Sequence, residues 1–336
     1  MAAEPGGKPL AVAGQKVQKG QVLAIFEVMK QFHELRSPVT GTLVATYFDD
    51  GTMIEEGRLL LEIEPDREKR TRAIIREGLK MANVVDINCD MGESFGAWKI
   101  GNDEQVMRFI SSANVAAGFH GGDPRVMART VSLAKELGVG VGAHPGFNDL
   151  VGFGRRNLDV TPDEAQTDVL YQIGALFGFC RRFGVPLQHV KPHGQLNNLS
   201  MTNRTLADAI VAGIHDFAPS LLVVSYGGEL AKAAEAAGMR VAYEVFADRE
   251  YNPDGTLVSR RMPGAVIHDP GRVVERAITM VRDGRVKTME GSWLELRVHT
   301  ICVHGDTKGA ADLVARLREG FRKAGIKVLP MAQIVH

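Results

Sequence analysis

Apolar runs alternate with helical patterns from residue 84 to the C-terminal part of the chain. Short runs rich in β-branched residues predict buried strands, and segments with apolar residues every three to four positions predict helices between them. We predict strands at residues 84–87, 114–117, 139–142, 187–191, 221–225, 240–244 and 300–303. We predict helices at residues 123–138, 161–184, 203–217, 228–237, 269–283 and 308–323.

Seven strand–helix units in sequence imply an α/β fold with a parallel sheet, and a closed, TIM-like (β/α) barrel fits this count best. An open, doubly wound sheet is the alternative. However, no G-x-G-x-x-G string follows the first strand, and the sequence contains no Walker A string. We therefore assign residues 83–336 to the barrel.

The first 65 residues show short strands and tight turns without a helical period. The string GQKVQKGQVLAIFEV is echoed by DDGTMIEEGRLLLEIE, and each is a polar turn with a glycine followed by an apolar strand. Two similar halves facing each other predict a small, flattened all-β sandwich over residues 1–65. Residues 66–82 are strongly charged, and we predict a linker there that forms a short solvated helix.

Composition narrows the function classes only modestly. The 336 residues carry 40 lysines and arginines against 40 aspartates and glutamates, so no overall field favours nucleic acid or an acidic membrane. The three cysteines are far apart and lack CxxC spacing, which favours a reducing compartment. The N-terminus has no apolar h-region, and nowhere do about 18 apolar residues run together. We expect a cytoplasmic protein.

Polar residues gather where the predicted barrel strands end, which is where barrel enzymes hold their active sites. Four histidines occupy equivalent loops beside glycine or proline, and such glycines allow the backbone to approach a small ligand closely. The candidates, in chain order, are Asp86, Asn88, Asp90, Glu93, His120, His144, Lys191, His193, Asp248, Arg249 and His304.

Two chemistries suit such a ring of residues. Histidines with an aspartate can bind a divalent metal that activates water. Alternatively, the carboxylates and histidines act as general acids and bases without a metal, while Lys191 and arginines hold an anionic substrate. The sequence contains no H-E-x-x-H or similar tight ligand spacing, so spacing alone favours the second chemistry and leaves a metal open.

Seven strings occur in order and together resemble the LamB/YcsF family: DINCDMGESFG, ANVAAGFHGGDP, GAHPGFNDLVGFGRR, HVKPHGQLNN, EVFADREYNPDGTLVSRR, PGAVIHDP and TICVHGDT. The resemblance covers about residues 84–328 and implies a barrel of the glycoside hydrolase/deacetylase type. It also implies the A-subunit role in ATP-dependent opening of 5-oxo-L-proline to L-glutamate, together with B-type and C-type subunits. Opening an unstrained lactam is unfavourable at equilibrium, and nothing in this sequence resembles a nucleotide site. We therefore expect partner subunits to bind ATP.

Within this resemblance we expect Asp86, Asp90, His120, His144 and His193 to surround the lactam or its activated form. Lys191, with Arg155 or Arg249, is expected to pair with the substrate carboxylate, and Glu93 or Asp248 to carry a proton. Asn88 and His304 complete the expected substrate-binding residues.

The string EVMK followed by HELRSPVTGTL resembles the biotin carboxyl carrier module, in which a lysine at such a tip carries biotin. The resemblance implies biotin on Lys30 and a biotin ligase as partner. Gln31 and Val28 depart from the family's usual methionine and alanine, and the chain begins inside the module, so we expect its first strand to be missing.

Two other functions stay open at this point. One is a component of a biotin-dependent carboxylase that acts on a lactam or amide with a biotin carboxylase partner. The other is a metal-dependent, deacetylase-like hydrolase that works alone.

Overall fold

The computed structural model describes residues 10–28, 31–38, 40–47, 59–65, 73–76, 83–303 and 309–335. The chain divides into two compact units, Met1–Met81 and Ala82–His336.

The first unit is built from short antiparallel strands. They are β1 (Lys16–Val17), β2 (Val22–Val28), β3 (Gln31–Arg36), β4 (Gly41–Thr46), β5 (Leu59–Pro65) and β6 (Ala73–Arg76). One sheet has the order β1-β4-β5-β6, and β2 pairs with β3 in a second sheet. Leu23 of β2, Leu43 of β4 and Leu61 of β5 are buried in one apolar core. The two sheets therefore pack face to face, which confirms the predicted small sandwich.

The segment after β5 differs from its prediction. Instead of a helix, Ala73–Arg76 forms strand β6, which pairs antiparallel with β5. The run AIIR contains two β-branched isoleucines, and these favour an added strand over a short helix once a sheet edge is available. The other residues of the predicted linker, 66–72 and 77–82, lie outside the described residues. So do Met29 and Lys30, which separate β2 from β3 in the sequence.

The described residues of the second unit form ten further strands. They are β7 (Val84–Met91), β8 (Ser112–Ala116), β9 (Gly140–His144), β10 (Leu187–Val190), β11 (Leu222–Ser225), β12 (Val241–Val245), β13 (Arg285–Lys287), β14 (Trp293–Glu295), β15 (Thr300–Val303) and β16 (Lys327–Val328). Among the described residues, seven of them form a parallel sheet in the order β7-β8-β9-β10-β11-β12-β15, and β15 pairs again with β7. This is the predicted closed barrel of seven units.

Helices surround the barrel. They are α1 (Asp103–Val106), α2 (Pro124–Leu137), α3 (Pro162–Phe183), α4 (Gly194–Ser200), α5 (Arg204–Phe217), α6 (Gly228–Ala236), α7 (Pro270–Asp283) and α8 (Ala310–Lys323). All but the short α1 and α4, which were not predicted, lie close to the predicted positions. A capping box of Thr161 and Glu164 opens α3, and left-handed Gly184 closes it. In the parts of the chain that the structure describes, no helix is long and apolar enough to cross a membrane.

The strand β7 is longer than predicted, because it runs to Met91 rather than to residue 87. Asp86, Asn88 and Asp90 are therefore alternate residues of one strand, so all three face the barrel interior. The residues between them are apolar and lie in the core between the barrel and the helices. The strand thus brings polar groups into the barrel at three successive depths.

Candidate active site

Three histidines and one glutamate meet at the carboxyl ends of neighbouring strands. Glu93 follows β7, His120 follows β8, His144 ends β9 and His193 is the N-cap residue of α4. Oε1 of Glu93 lies 3.2 Å from Nε2 of His120, 3.5 Å from Nδ1 of His193 and 4.0 Å from Nε2 of His144. One potential ligand atom from each residue lies within 4.8 Å of the others. All four side chains are buried.

Backbone carbonyls fix the tautomers of two of these histidines. Nδ1 of His144 lies 2.6 Å from the carbonyl oxygen of Lys191, and Nε2 of His193 lies 2.8 Å from that of Phe153. A carbonyl oxygen only accepts, so both of these nitrogens carry hydrogen and donate. The remaining nitrogens, Nε2 of His144 and Nδ1 of His193, face each other at 3.0 Å. Two lone pairs at this distance require a proton or a cation between them.

Burial and neighbouring charges shift the pKa values of the histidines and of Asp90 in different directions. Burial lowers the pKa of His120 and His193 well below the usual histidine value. Burial would also lower the pKa of His144, but Asp90, whose Oδ2 lies 3.3 Å from Nε2, raises it above that value. Burial would raise the pKa of Asp90, but His144 and Lys191 hold it well below its usual range. An ion-free site therefore holds its proton on His144 beside an ionised Asp90.

The loop at Phe153 and Gly154 positions the histidine rings. Phe153 adopts a positive φ of 55°, and its carbonyl oxygen accepts the hydrogen bond from His193. Its ring packs edge-on against His120 and His193, which stack on each other with centroids 3.7 Å apart. A Cβ on Gly154 would lie 2.8 Å from the ring of His193, so the close approach requires glycine here.

Asp86 lies deeper in the barrel than expected. Its carboxylate accepts hydrogen bonds from the hydroxyls of Ser111, Ser112 and Thr300. It precedes Asp90 by four residues on one strand, which places the two about 13 Å apart along the strand axis. The structure therefore places Asp86 below the histidines, bound to hydroxyls of the neighbouring strands. Burial nevertheless raises its pKa to about 6.

Lys191 is held by protein carboxylates. Its Nζ lies 3.0 Å from Oδ1 of Asp90 and 2.9 Å from Oε1 of Glu244, and it also contacts Asn88 and Cys302. An ammonium group has three hydrogens, so these neighbours occupy its donor capacity. Lys191 is thus engaged within the barrel, whereas we expected from the sequence that it would bind a substrate carboxylate.

Asn88 lies in the same network, below the histidines. Its amide donates to Glu244 and Thr300, and its oxygen accepts from Asn114. With both ends engaged by the protein, Asn88 joins neighbouring strands instead of facing a ligand.

A cavity of about 310 Å³ opens above Asp90, His144 and His193. Its other lining residues are Arg155, Lys191, Pro192, Gly194, Gln195, Asn197, Asn198, Tyr226, Glu244, Phe246, Arg249, Leu257 and Arg260. Arg249 is 7% exposed and donates from one terminal nitrogen to the carbonyl oxygen of Val258 at 2.7 Å. Its buried Nε has no hydrogen-bond partner in the described structure. The arginines make this cavity suited to an anion.

The structure brings most of the expected residues to this cavity or its floor. Asp248 instead lines a neighbouring cavity of about 210 Å³, which shares Arg249 and Arg260 with the first. His304 lies outside the described residues. The sequence also places Glu244 at the end of a predicted strand, although we assigned it no role, and Tyr226 and Arg260 were missed, although Arg260 lies in one of the family-like strings.

Comparisons with known proteins agree with this organisation. The model of the LamB/YcsF family matches residues 85–336, and the model described as "Biotin-requiring enzyme" matches residues 2–63. The 5-oxoprolinase A subunit of Pyrococcus abyssi is 54% identical over 252 residues, which cover 75% of this chain and 99% of that protein. The protein of the same name from Bacillus licheniformis is 51% identical over 247 residues, covering 73% and 98%.

One solved structure is also closely similar. The lactam utilization protein from Thermus thermophilus is 44% identical and superposes with a TM-score of 0.71, covering 73% of this chain and 99% of that one. The two resemblances seen in the sequence, one in the barrel and one in the N-terminal module, are thereby confirmed. The chain belongs to the LamB/YcsF family.

Proposed function

We propose that this chain opens the lactam ring of 5-oxo-L-proline to give L-glutamate, as the A-type subunit of an ATP-dependent 5-oxoprolinase. The relatives named above support the reaction class. The observation that carries the proposal is the cavity, in which the Asp90–His144 pair lies beside three arginines. A cyclic amide with one carboxylate needs both features, namely groups that move protons at the amide and a cation that holds the acid.

The arginines orient the substrate in this proposal. Arg249 approaches the cavity with a buried, unpartnered Nε, and a substrate carboxylate would supply the missing acceptor. Arginine presents its donors in a planar fork that matches a carboxylate. Because Lys191 is engaged by Asp90 and Glu244, the carboxylate role passes from that lysine to the arginines.

The acid–base pair then acts on the ring amide. Asp90 is ionised and can accept a proton from the attacking water, whose oxygen forms the new bond to the lactam carbonyl carbon. The carbon–nitrogen bond breaks, and the proton that Asp90 took from the water passes to the ring nitrogen. Asp90 takes the proton-carrier role that the sequence suggested for Glu93 or Asp248, because it lines the cavity beside His144.

ATP supplies the driving force that lactam hydrolysis lacks. The sequence has no Walker A or G-x-G-x-x-G string, so we assign nucleotide binding and activation of the substrate to B-type and C-type partner subunits.

Reconstitution of the full chain with such subunits tests the proposal. We expect L-glutamate from 5-oxo-L-proline only when ATP and all subunits are present, and a loss of about 100-fold or more in kcat for Asp90→Asn. His215→Ala, on the exposed surface of α5, is the matched control and keeps full activity. Unchanged turnover in Asp90→Asn, or glutamate release without ATP, would contradict the proposal.

The match to the biotin-requiring module favours a second candidate function, a component of a biotin-dependent carboxylase. In that case a biotin ligase modifies Lys30, and a biotin carboxylase loads the carrier for transfer to a lactam or amide nitrogen. Mass spectrometry of the intact chain, with Lys30→Arg as control, tests the modification. Bicarbonate-dependent formation of a carboxylated lactam in place of glutamate would favour this function over the first.

A further inference from the structure

We propose that His120, His144, His193 and Glu93 bind one divalent transition-metal ion at the floor of the cavity. Four potential ligand atoms from four different chain segments lie within 4.8 Å of one another in the described structure. The contacts of Glu93 Oε1 with the three rings span 3.2 to 4.0 Å, and the closest nitrogen pair is 3.0 Å apart. Ligands of a single ion at about 2.0–2.2 Å from its centre lie at such mutual separations.

The hydrogen bonds behind the rings orient two of the ligands. The carbonyl oxygens of Lys191 and Phe153 hold the far nitrogens of His144 and His193 as donors. Metal-bound histidines usually donate their other N–H to an acceptor of this kind, which fixes the tautomer and directs the lone pair at the ion. The two lone pairs converge on one point, and an ion there removes the repulsion between them.

His120 is held differently. Its Nε2 faces Glu93, but its Nδ1 is buried without a hydrogen-bond partner in the described structure. No acceptor orients this ring from behind, and it stacks on His193 at an interplanar angle of 4°, so it must tilt to direct its lone pair at the same ion. His120 is therefore the weakest of the three nitrogen ligands.

The surrounding charge also favours a cation. The carboxylates of Glu93, Asp90 and Glu244 lie in or beside the cluster, and Lys191 contacts two of them. A doubly charged ion would balance the remaining negative charge of this group while His144 stays neutral.

The ligand chemistry selects the class of ion. Three imidazoles and one carboxylate suit zinc, manganese, iron, cobalt or nickel, whereas calcium and magnesium prefer oxygen ligands. His144 and His193 also line the cavity, so an open coordination position would face the substrate, where a water or a carbonyl oxygen could bind.

Metal binding by the isolated full chain tests the inference without partner subunits or ATP. After dialysis against Zn²⁺ and then metal-free buffer, elemental analysis is expected to find about one zinc per chain. His144→Ala and His193→Ala should each weaken the affinity about 10-fold to 100-fold or more, and His120→Ala less. His215→Ala and His268→Ala, both exposed, should leave it unchanged.

Two further measurements separate loss of the site from loss of the fold. Circular dichroism reports whether each variant is folded, and His193→Gln, which keeps a polar side chain, replaces any alanine variant that is not. The visible absorption of the Co²⁺-loaded His193 variants should differ from that of the Co²⁺-loaded wild type. That of Co²⁺-loaded His215→Ala should match the wild type. Equal zinc retention by the wild type and by both His193 variants would overturn the inference, and the 3.0 Å contact would then be bridged by a proton. Metal binding without glutamate formation in the reconstituted enzyme would contradict only the proposed function.

Discussion

Two polar layers lie inside the same barrel, and they differ in how well donors match acceptors. In the lower layer, the carboxylate of Asp86 receives three hydroxyl donors from Ser111, Ser112 and Thr300. In the upper layer, Nε2 of His144 and Nδ1 of His193 face each other at 3.0 Å and need a shared proton or a cation between them. Both layers are buried, so burial alone does not separate structure from function. The pairing of donors with acceptors separates them better, with Nδ1 of the buried His189, beside Asn114, as an exception in the lower layer of the described structure.

A buried polar group without a partner costs free energy, so a protein keeps such a group where a ligand completes it. The upper layer contains the facing histidine nitrogens and the unpartnered Nε of Arg249. The lower layer uses most of its polar groups to join neighbouring strands. Replacements in the lower layer should therefore cost stability, and replacements in the upper layer should cost function.

The largest effect is expected at Lys191, which links the layers through Asp90 and Glu244. Lys191→Met leaves two carboxylates buried without their shared cation. Breaking a buried ion pair from one side costs about 3–5 kcal/mol, and we expect a loss of this size in the free energy of unfolding. Urea denaturation of the full chain, followed by circular dichroism, measures it.

A second replacement provides the control for Lys191. Glu244→Gln in the Lys191→Met background removes one of the two stranded charges, so part of the lost stability should return. If Lys191→Met instead kept its stability and raised only the KM for the lactam, Lys191 would be a substrate ligand, as the sequence suggested.

The next largest effect is expected at Asp86. It is a change of the free energy of unfolding with pH, and its direction follows from the pKa of Asp86. The folded-state pKa is raised to about 6 by burial, against 3.8 for an ordinary aspartate. Stability from this group is complete below about pH 4 and is lost as the pH rises through about 6. Relative to Asp86→Asn, the wild type should lose about 2–2.5 kcal/mol of unfolding free energy between pH 4 and pH 7, since each unit of pKa corresponds to about 1.4 kcal/mol.

The difference between the two proteins isolates Asp86 from other titrating groups. Asp103, whose pKa burial also raises to about 6, titrates in the same range in both proteins and cancels. Parallel pH profiles for wild type and Asp86→Asn would show that Asp86 does not carry this dependence.

The positions of the lower-layer residues on the first barrel strand could have been predicted from the sequence. Asp86, Asn88 and Asp90 alternate with apolar residues, and that period of two continues the strand beyond residue 87. We expected the strand to end at residue 87, with Asp86, Asn88 and Asp90 together at its end, and so placed Asp86 beside the histidines. A barrel filled by hydrogen-bonded polar groups makes the longer strand possible.

The partners of Lys191 and the tautomers of the histidines could not be predicted. The ammonium of Lys191 meets Glu244, which is far away in the sequence, and this depends on how seven strands close. The carbonyl oxygen that orients His193 belongs to Phe153, in a loop with an unusual positive φ. Loop geometry of this kind leaves no period in the sequence, whereas strand and helix positions do.

The smallest expected effect concerns the buried Arg249 and the partly buried Arg276, which differ in how many of their donors have partners. Arg276 donates to the backbone oxygens of Ala247, Arg249 and Lys287, whereas Nε of Arg249 has no described partner. Arg249→Met should change the free energy of unfolding by no more than about 1 kcal/mol, because it removes one hydrogen bond and one costly orphan together. Its kcat/KM for 5-oxo-L-proline should fall about 10-fold to 100-fold, as expected for a lost hydrogen bond to a carboxylate.

Arg276→Met is the matched control, with the opposite expectation. It should lose about 2–4 kcal/mol of stability, because three backbone acceptors lose their donor at once. If Arg249 binds the substrate carboxylate, Arg249→Met and the wild type should have equal kcat/KM for 2-pyrrolidinone, a lactam that lacks this carboxylate. A loss of stability in Arg249→Met equal to that in Arg276→Met would mean that Arg249 is a structural residue, because an arginine kept for a ligand leaves the unliganded fold nearly unchanged when it is removed.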